Sequence, residues 1–175
     1  SRNPFSVISG TSAGAVNAVA LAASANNFRL AVKKVEKIWS SIHVHKVYKA
    51  GGWDLLKGLG RLVASLFNQG IGRGRALSLL NNEPLRELLN HSIQFRNIQK
   101  RIDEGYLDAI GVSATGYTSG ENVTFFQGLD HIGKWRQGRR VGVPTQLNVS
   151  HILGSSAIPA ILPAEKISGE YFGDG

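Results

Sequence analysis

The chain has 175 residues, 42% hydrophobic and 18% charged, enough apolar material for the core of one domain. It has no cysteine, which excludes disulfides and thiolate chemistry, and its longest apolar run falls far short of the ~20 residues that cross a bilayer. Lys and Arg number 20 against 12 Asp and Glu; the net charge of +8 suits an anionic partner, either nucleic acid or a membrane surface.

"FSVIS" (5–9) reads as a short buried strand, and the small residues from Ala13 to Ala23 as a helix entered through a sharp turn. "NNFRLAVKKVEKIWSSI" (26–42) is predicted as an amphipathic helix, because Phe28, Val32, Val35, Ile38, Trp39 and Ile42 recur at three- and four-residue steps. A second amphipathic segment spans 53–69, with Lys57 and Arg61 off its leucine-rich face, and "GIGRGR" (70–75) follows as a basic loop. "NNEPLRELLNHSI" (81–93) starts as helices do, with Pro84 in the first turn. "YLDAIGVSATGY" (106–117) is a core strand, and "ENVTFFQ" (121–127) its neighbour after a Thr118-Ser119-Gly120 turn. "GKWRQGRR" (133–140) reads as a basic loop, and Pro144 as the start of a helix running to Pro159. "ILP" (161–163) and "EYFGD" (170–174) read as short extended pieces. Strands interleaved with helices imply an α/β sheet with helices on both faces.

Gly10-Thr11-Ser12-Ala13-Gly14 fits the G-x-S-x-G pattern of a nucleophile elbow. Such a turn strains the serine backbone, its glycines relieve crowding, and the helix behind it directs free N–H groups and a positive dipole end at developing negative charge. A serine hydroxyl needs a base. His43 and His45 form an H-x-H pair, but spacing supplies no third metal ligand. Ser12, Asp108 and either His131 or His151 follow the chain order of an α/β-hydrolase triad. Asp174 is the other candidate, a carboxylate after a short strand and before a glycine; spacing alone does not separate it from an ordinary Asp-Gly turn.

Three blocks together resemble the patatin-like phospholipase family: "VISGTSAGAVNAVALAA", "GVSATGYTSGENVTFF" and "HILGSSAIPAILPAEKISGEYFGDG". They occur in the family's order across nearly the whole chain, while 43–105 matches mainly in character. The resemblance implies a three-layer α/β/α fold around a mostly parallel sheet. It also implies hydrolysis of lipid acyl esters by a Ser–Asp dyad, without histidine, metal or organic cofactor. Ser12 falls on the nucleophile and Asp174 on its partner, with Asp174-Gly175 as the Asp-Gly motif. An aspartate is a weak base for an alcohol, so oxyanion stabilisation must supply much of the rate.

The family's glycine-rich oxyanion loop precedes the nucleophile strand, where this chain has only "SRNPF". The expectation is a single catalytic domain over 1–175, cropped at both ends and with little hydrolase activity when made alone. The substrate class is a phospholipid or other lipid ester. The basic stretch 53–67, with Trp53, is a candidate for peripheral contact with an anionic membrane, and otherwise packs on the domain. "GIGRGR" and "GKWRQGRR" also suit nucleic acid, but that reading leaves the elbow and Asp174 unexplained. A catalytically silent lipid-binding relative is the other alternative.

Overall fold

The structure is a computed structural model and describes residues 3–49, 82–158 and 162–174. The segment 53–69, "GIGRGR", Gly175 and the side chains of His43 and His45 lie outside the described residues. In chain order the elements are β1 (Val7–Thr11), α1 (Ala13–Ala23), α2 (Phe28–Lys49), α3 (Glu83–Ser92), α4 (Asn97–Asp103), β2 (Ala109–Gly116) and β3 (Asn122–Gly128). Then come β4 (Trp135–Gln137), β5 (Arg140–Pro144), α5 (Val149–Ser155), β6 (Glu165–Ile167) and β7 (Glu170–Gly173). Among the described residues no helix is long and apolar enough to cross a membrane.

The fold is α/β, but its sheet is not mostly parallel. The strand order is β4-β5-β3-β2-β7-β6, with β1 also paired to β2. Among the described residues only β1–β2 and β3–β5 are parallel; β2–β3, β2–β7, β4–β5 and β6–β7 are antiparallel. The reason is the short connections. Gln137 pairs Arg140 and Ile167 pairs Glu170 across two-residue turns, which join antiparallel strands only. Gly138 at φ 60 makes the first of these turns, so the basic stretch predicted as a loop is a hairpin.

Two more expectations change. Pro144 ends β5 instead of starting a helix, and α5 begins at Val149 behind a capping box in which Asn148 accepts from the Ser150 N–H. In α2, Ala31 and Ile38 are buried, but Val32 is exposed, so the helix turns its face slightly from the one periodicity suggested. Val35, Trp39 and Ile42 do pack against the core.

The core lies between one sheet face and α1, α4 and α5. Ile110, Val112, Ala114, Val123, Phe125 and Phe172 fill that face. Helix α1 is buried through Ala15, Val16, Ala18, Val19, Ala20, Ala22 and Ala23, and its small side chains let it lie close to β1 and β2. Helix α2 packs outside α1, where the Trp39 indole donates to Asn17 Oδ1 at 2.7 Å. Arg86 of α3 reaches Glu165 of β6 at 2.5 Å and the Ser150 hydroxyl at 3.2 Å, tying α3 to α5 and the sheet edge. Glu165 raises the Arg86 pKa chiefly through that hydrogen bond.

Close approach of backbone to backbone fixes Gly10. A Cβ on Gly10 would sit 2.1 Å from the Gly14 carbonyl oxygen, a backbone atom that cannot step aside. A Cβ on Gly14 would meet nothing within 4 Å. Gly10→Ala is therefore expected to destabilise the protein by about 3 kcal/mol or more. Gly14→Ala should leave stability within about 0.5 kcal/mol. Urea midpoints of the two variants check the contrast.

Candidate active site

The site forms where two strands meet end to end. Strand β3 covers one edge of β2, from Ala109 to Thr115. On the other edge β1 runs parallel and reaches Ser113 with Thr11. Strand β7 comes from the opposite direction and pairs Gly173 with Thr115. The chain ends of β1 and β7 thus converge on Ala114, and the next residue of each is Ser12 and Asp174. The Ser12 hydroxyl donates to Asp174 Oδ2 at 2.7 Å across 162 residues of chain.

Ser12 is held in a strained conformation, φ 55 and ψ −126. For a residue with a Cβ this costs on the order of 1–3 kcal/mol. The surroundings secure it from both sides. The Ser12 N–H donates to Ser155 Oγ at 2.9 Å, and the Ser156 hydroxyl donates to the Ser12 carbonyl at 3.1 Å. Ser155 is fully buried, and its own hydroxyl donates to the Ser113 carbonyl at 2.6 Å. The end of α5 therefore fixes the elbow to β2. The Asp174 N–H donates to the Ala157 carbonyl at 3.0 Å, so the same segment also positions the carboxylate.

Ser12 caps α1, and the Ala15 N–H returns to the Ser12 carbonyl at 2.9 Å. The N–H groups of Ala13 and Gly14 have no acceptor among the described residues. They point along the positive end of the α1 dipole. Tyr117 packs beside the carboxylate: a Cβ on Gly173 would lie 2.0 Å from its hydroxyl oxygen. Tyr117 is half-exposed, and its partial desolvation raises its pKa, with the negative charge of Asp174 adding to it, so the phenol stays neutral.

The histidine triad does not assemble. Asp108 precedes β2 at the end of the sheet far from Ser12, six residues from Ala114 and so about 20 Å along the strand. The loop carrying His131 leaves β3 at that same far end, where the Leu129 N–H donates to the Asp108 carbonyl. His151 caps α5 instead. Its Nδ1 accepts from the Asn148 N–H at 3.1 Å, its ring meets Phe125 edge-on, and its buried Nε2 has no partner among the described residues.

Burial lowers the His151 pKa. The folded state therefore binds its proton less readily than the unfolded chain, whose histidine titrates near 6.5. Stability from this residue is full above about pH 6.5 and falls as pH drops below it. His151→Gln keeps a capping acceptor and removes the titration. The expected result is that Tm falls from pH 7.5 to 5.5 in the wild type and falls less in H151Q.

Sequence reasoning missed Ser155, Ser156 and Tyr117. The signal available for the first two was a pair of hydroxyls closing an otherwise apolar helix. Thr11 ends β1 and is exposed, and Ala13 opens α1.

No curated protein and no solved structure matches the chain. The model of the patatin-like phospholipase family matches residues 1–175, the whole sequence, and the chain belongs to that family.

Proposed function

We propose that the protein is a serine hydrolase of lipid carboxylic esters, of phospholipase A or lysophospholipase type, working through a Ser12–Asp174 dyad and an acyl-enzyme. Family membership supports a hydrolase acting on lipid esters. The observation that carries the dyad is the 2.7 Å hydrogen bond from Ser12 Oγ to Asp174 Oδ2 at the meeting of two strand ends.

In the first step Ser12 Oγ attacks the ester carbonyl and its proton passes to Asp174 Oδ2. The negative charge gathers on the carbonyl oxygen, where the Ala13 and Gly14 amides and the α1 dipole favour it. Such donors contribute about 2.7–4 kcal/mol each when aligned. As the C–O bond breaks, the proton goes to the leaving alkoxide. Water then attacks the acyl-serine, again giving its proton to Asp174, and the fatty acid leaves as Ser12 regains its own. The strained elbow keeps Ser12 Oγ at the carboxylate throughout. The test is turnover of p-nitrophenyl butyrate by the full-length protein, with and without Ser12 and Asp174.

A further inference from the structure

We propose that the sheet end beside Ser12 is a docking edge for an anionic phospholipid bilayer, built from the β4–β5 hairpin on one side and the β6–β7 hairpin on the other. The inference rests on the lipid-ester reading of the site. The register carries it. Thr115, level with Gly173, pairs Asn122, which pairs Arg140, which pairs Gln137. One row thus runs from the catalytic column to the tip of the basic hairpin. From β4 to β6 the sheet end spans five strand spacings, about 24 Å.

Cations and amphipathic aromatics stand on both wings. Lys134, Arg139 and Arg140 are exposed on the first hairpin, with Trp135 38% exposed and its indole laid over Gly142. On the second, Tyr171 is 51% exposed under the Lys166 ammonium, 5.9 Å from the ring centroid. By strand alternation Trp135, Arg140, Tyr171 and Lys166 belong to one sheet face, opposite the face that packs on α1, α4 and α5.

The acids at this end are already engaged. Glu121 pairs with Arg136 at 2.5 Å, Glu170 accepts the Thr118 and Ser119 amides at 2.9 and 2.7 Å, and Asp174 holds the Ser12 hydroxyl. Lys134, Arg139, Arg140 and Lys166 have no carboxylate partner among the described residues. Unpaired cations attract an anionic leaflet, and Trp and Tyr settle at the headgroup level. Both features flank the serine, so docking here brings it to the ester-bearing surface.

The experiment is co-sedimentation of the full-length protein with vesicles of phosphatidylcholine alone or with 30% phosphatidylglycerol. Replacing Lys134, Arg139 and Arg140 together by glutamine should weaken partition onto the anionic vesicles roughly a hundredfold. Replacing Arg29, Lys33 and Lys37 of α2, the same loss of charge elsewhere, should change it less than about threefold. Hydrolysis of soluble p-nitrophenyl butyrate should be unchanged by the hairpin triple. Equal losses in the two triples, no loss in either, or equal binding to neutral vesicles overturns the docking edge. So does loss of affinity for an oligonucleotide with vesicle binding intact. If the wild type has no esterase activity but hairpin-dependent vesicle binding persists, the catalytic reading falls and the docking edge stands.

Discussion

Ser12→Ala in the full-length protein is expected to lower kcat for p-nitrophenyl butyrate by about 10⁴–10⁶, to background. In the proposed mechanism the Ser12 hydroxyl oxygen forms the acyl bond, and no neighbouring hydroxyl among the described residues is free to replace it. Ser155 and Ser156 are near, but their hydroxyls are committed to the Ser113 and Ser12 carbonyls. Alanine keeps a Cβ at φ 55, so the backbone strain is the same as before. The fold should therefore survive, with an unchanged Tm. A fluorophosphonate probe gives an independent readout: it should modify wild-type Ser12 and leave the variant unlabelled. Activity within tenfold of wild type would place the nucleophile elsewhere. A wild type that binds lipid vesicles but neither turns over nor labels would make the protein a silent binding relative.

Why Ser12 was legible and much else was not comes down to range. The elbow is a local object: an apolar run, Gly10, the serine and a small-residue helix lie within twenty residues, and each has a local physical reason. Helix α1 is found at Ala13–Ala23, where its alanines placed it. Asp174 depends on a contact 162 residues long, and spacing alone leaves it undecided between a partner for Ser12 and an ordinary Asp-Gly turn; the family resemblance is what favours the first. Strand direction was misjudged because it is decided by turns, and the β4–β5 turn sits inside a run so basic that it read as a loop. Strand β6 is three residues, Glu165–Ile167, too short to show a period. Pro144 suits a first helical turn and a strand end alike. Only Asn148, four residues on, decides where α5 begins.

The same long-range geometry makes Asp174 the sharper test of mechanism. Asp174→Asn is expected to lower kcat by about 10³–10⁴ with KM little changed. The amide is close in shape, and the backbone N–H keeps its bond to the Ala157 carbonyl, so the β7 end should stay in place. What it loses is an oxygen able to take the Ser12 proton. Ser12 would keep its strained elbow, its α5 contacts and the α1 amides, and residual turnover over background would measure what those supply without a base. Fluorophosphonate labelling should slow in parallel, since that step also needs the hydroxyl deprotonated. Asp108→Asn and His131→Gln, at the far end of the sheet, should stay within about twofold of wild type. His151→Gln should do so at pH 7.5, where its imidazole is neutral. If either histidine variant instead abolished activity while D174N retained it, a histidine base would have to reach Ser12. For His131, at the far end of the sheet, that would mean a rearrangement of about 20 Å.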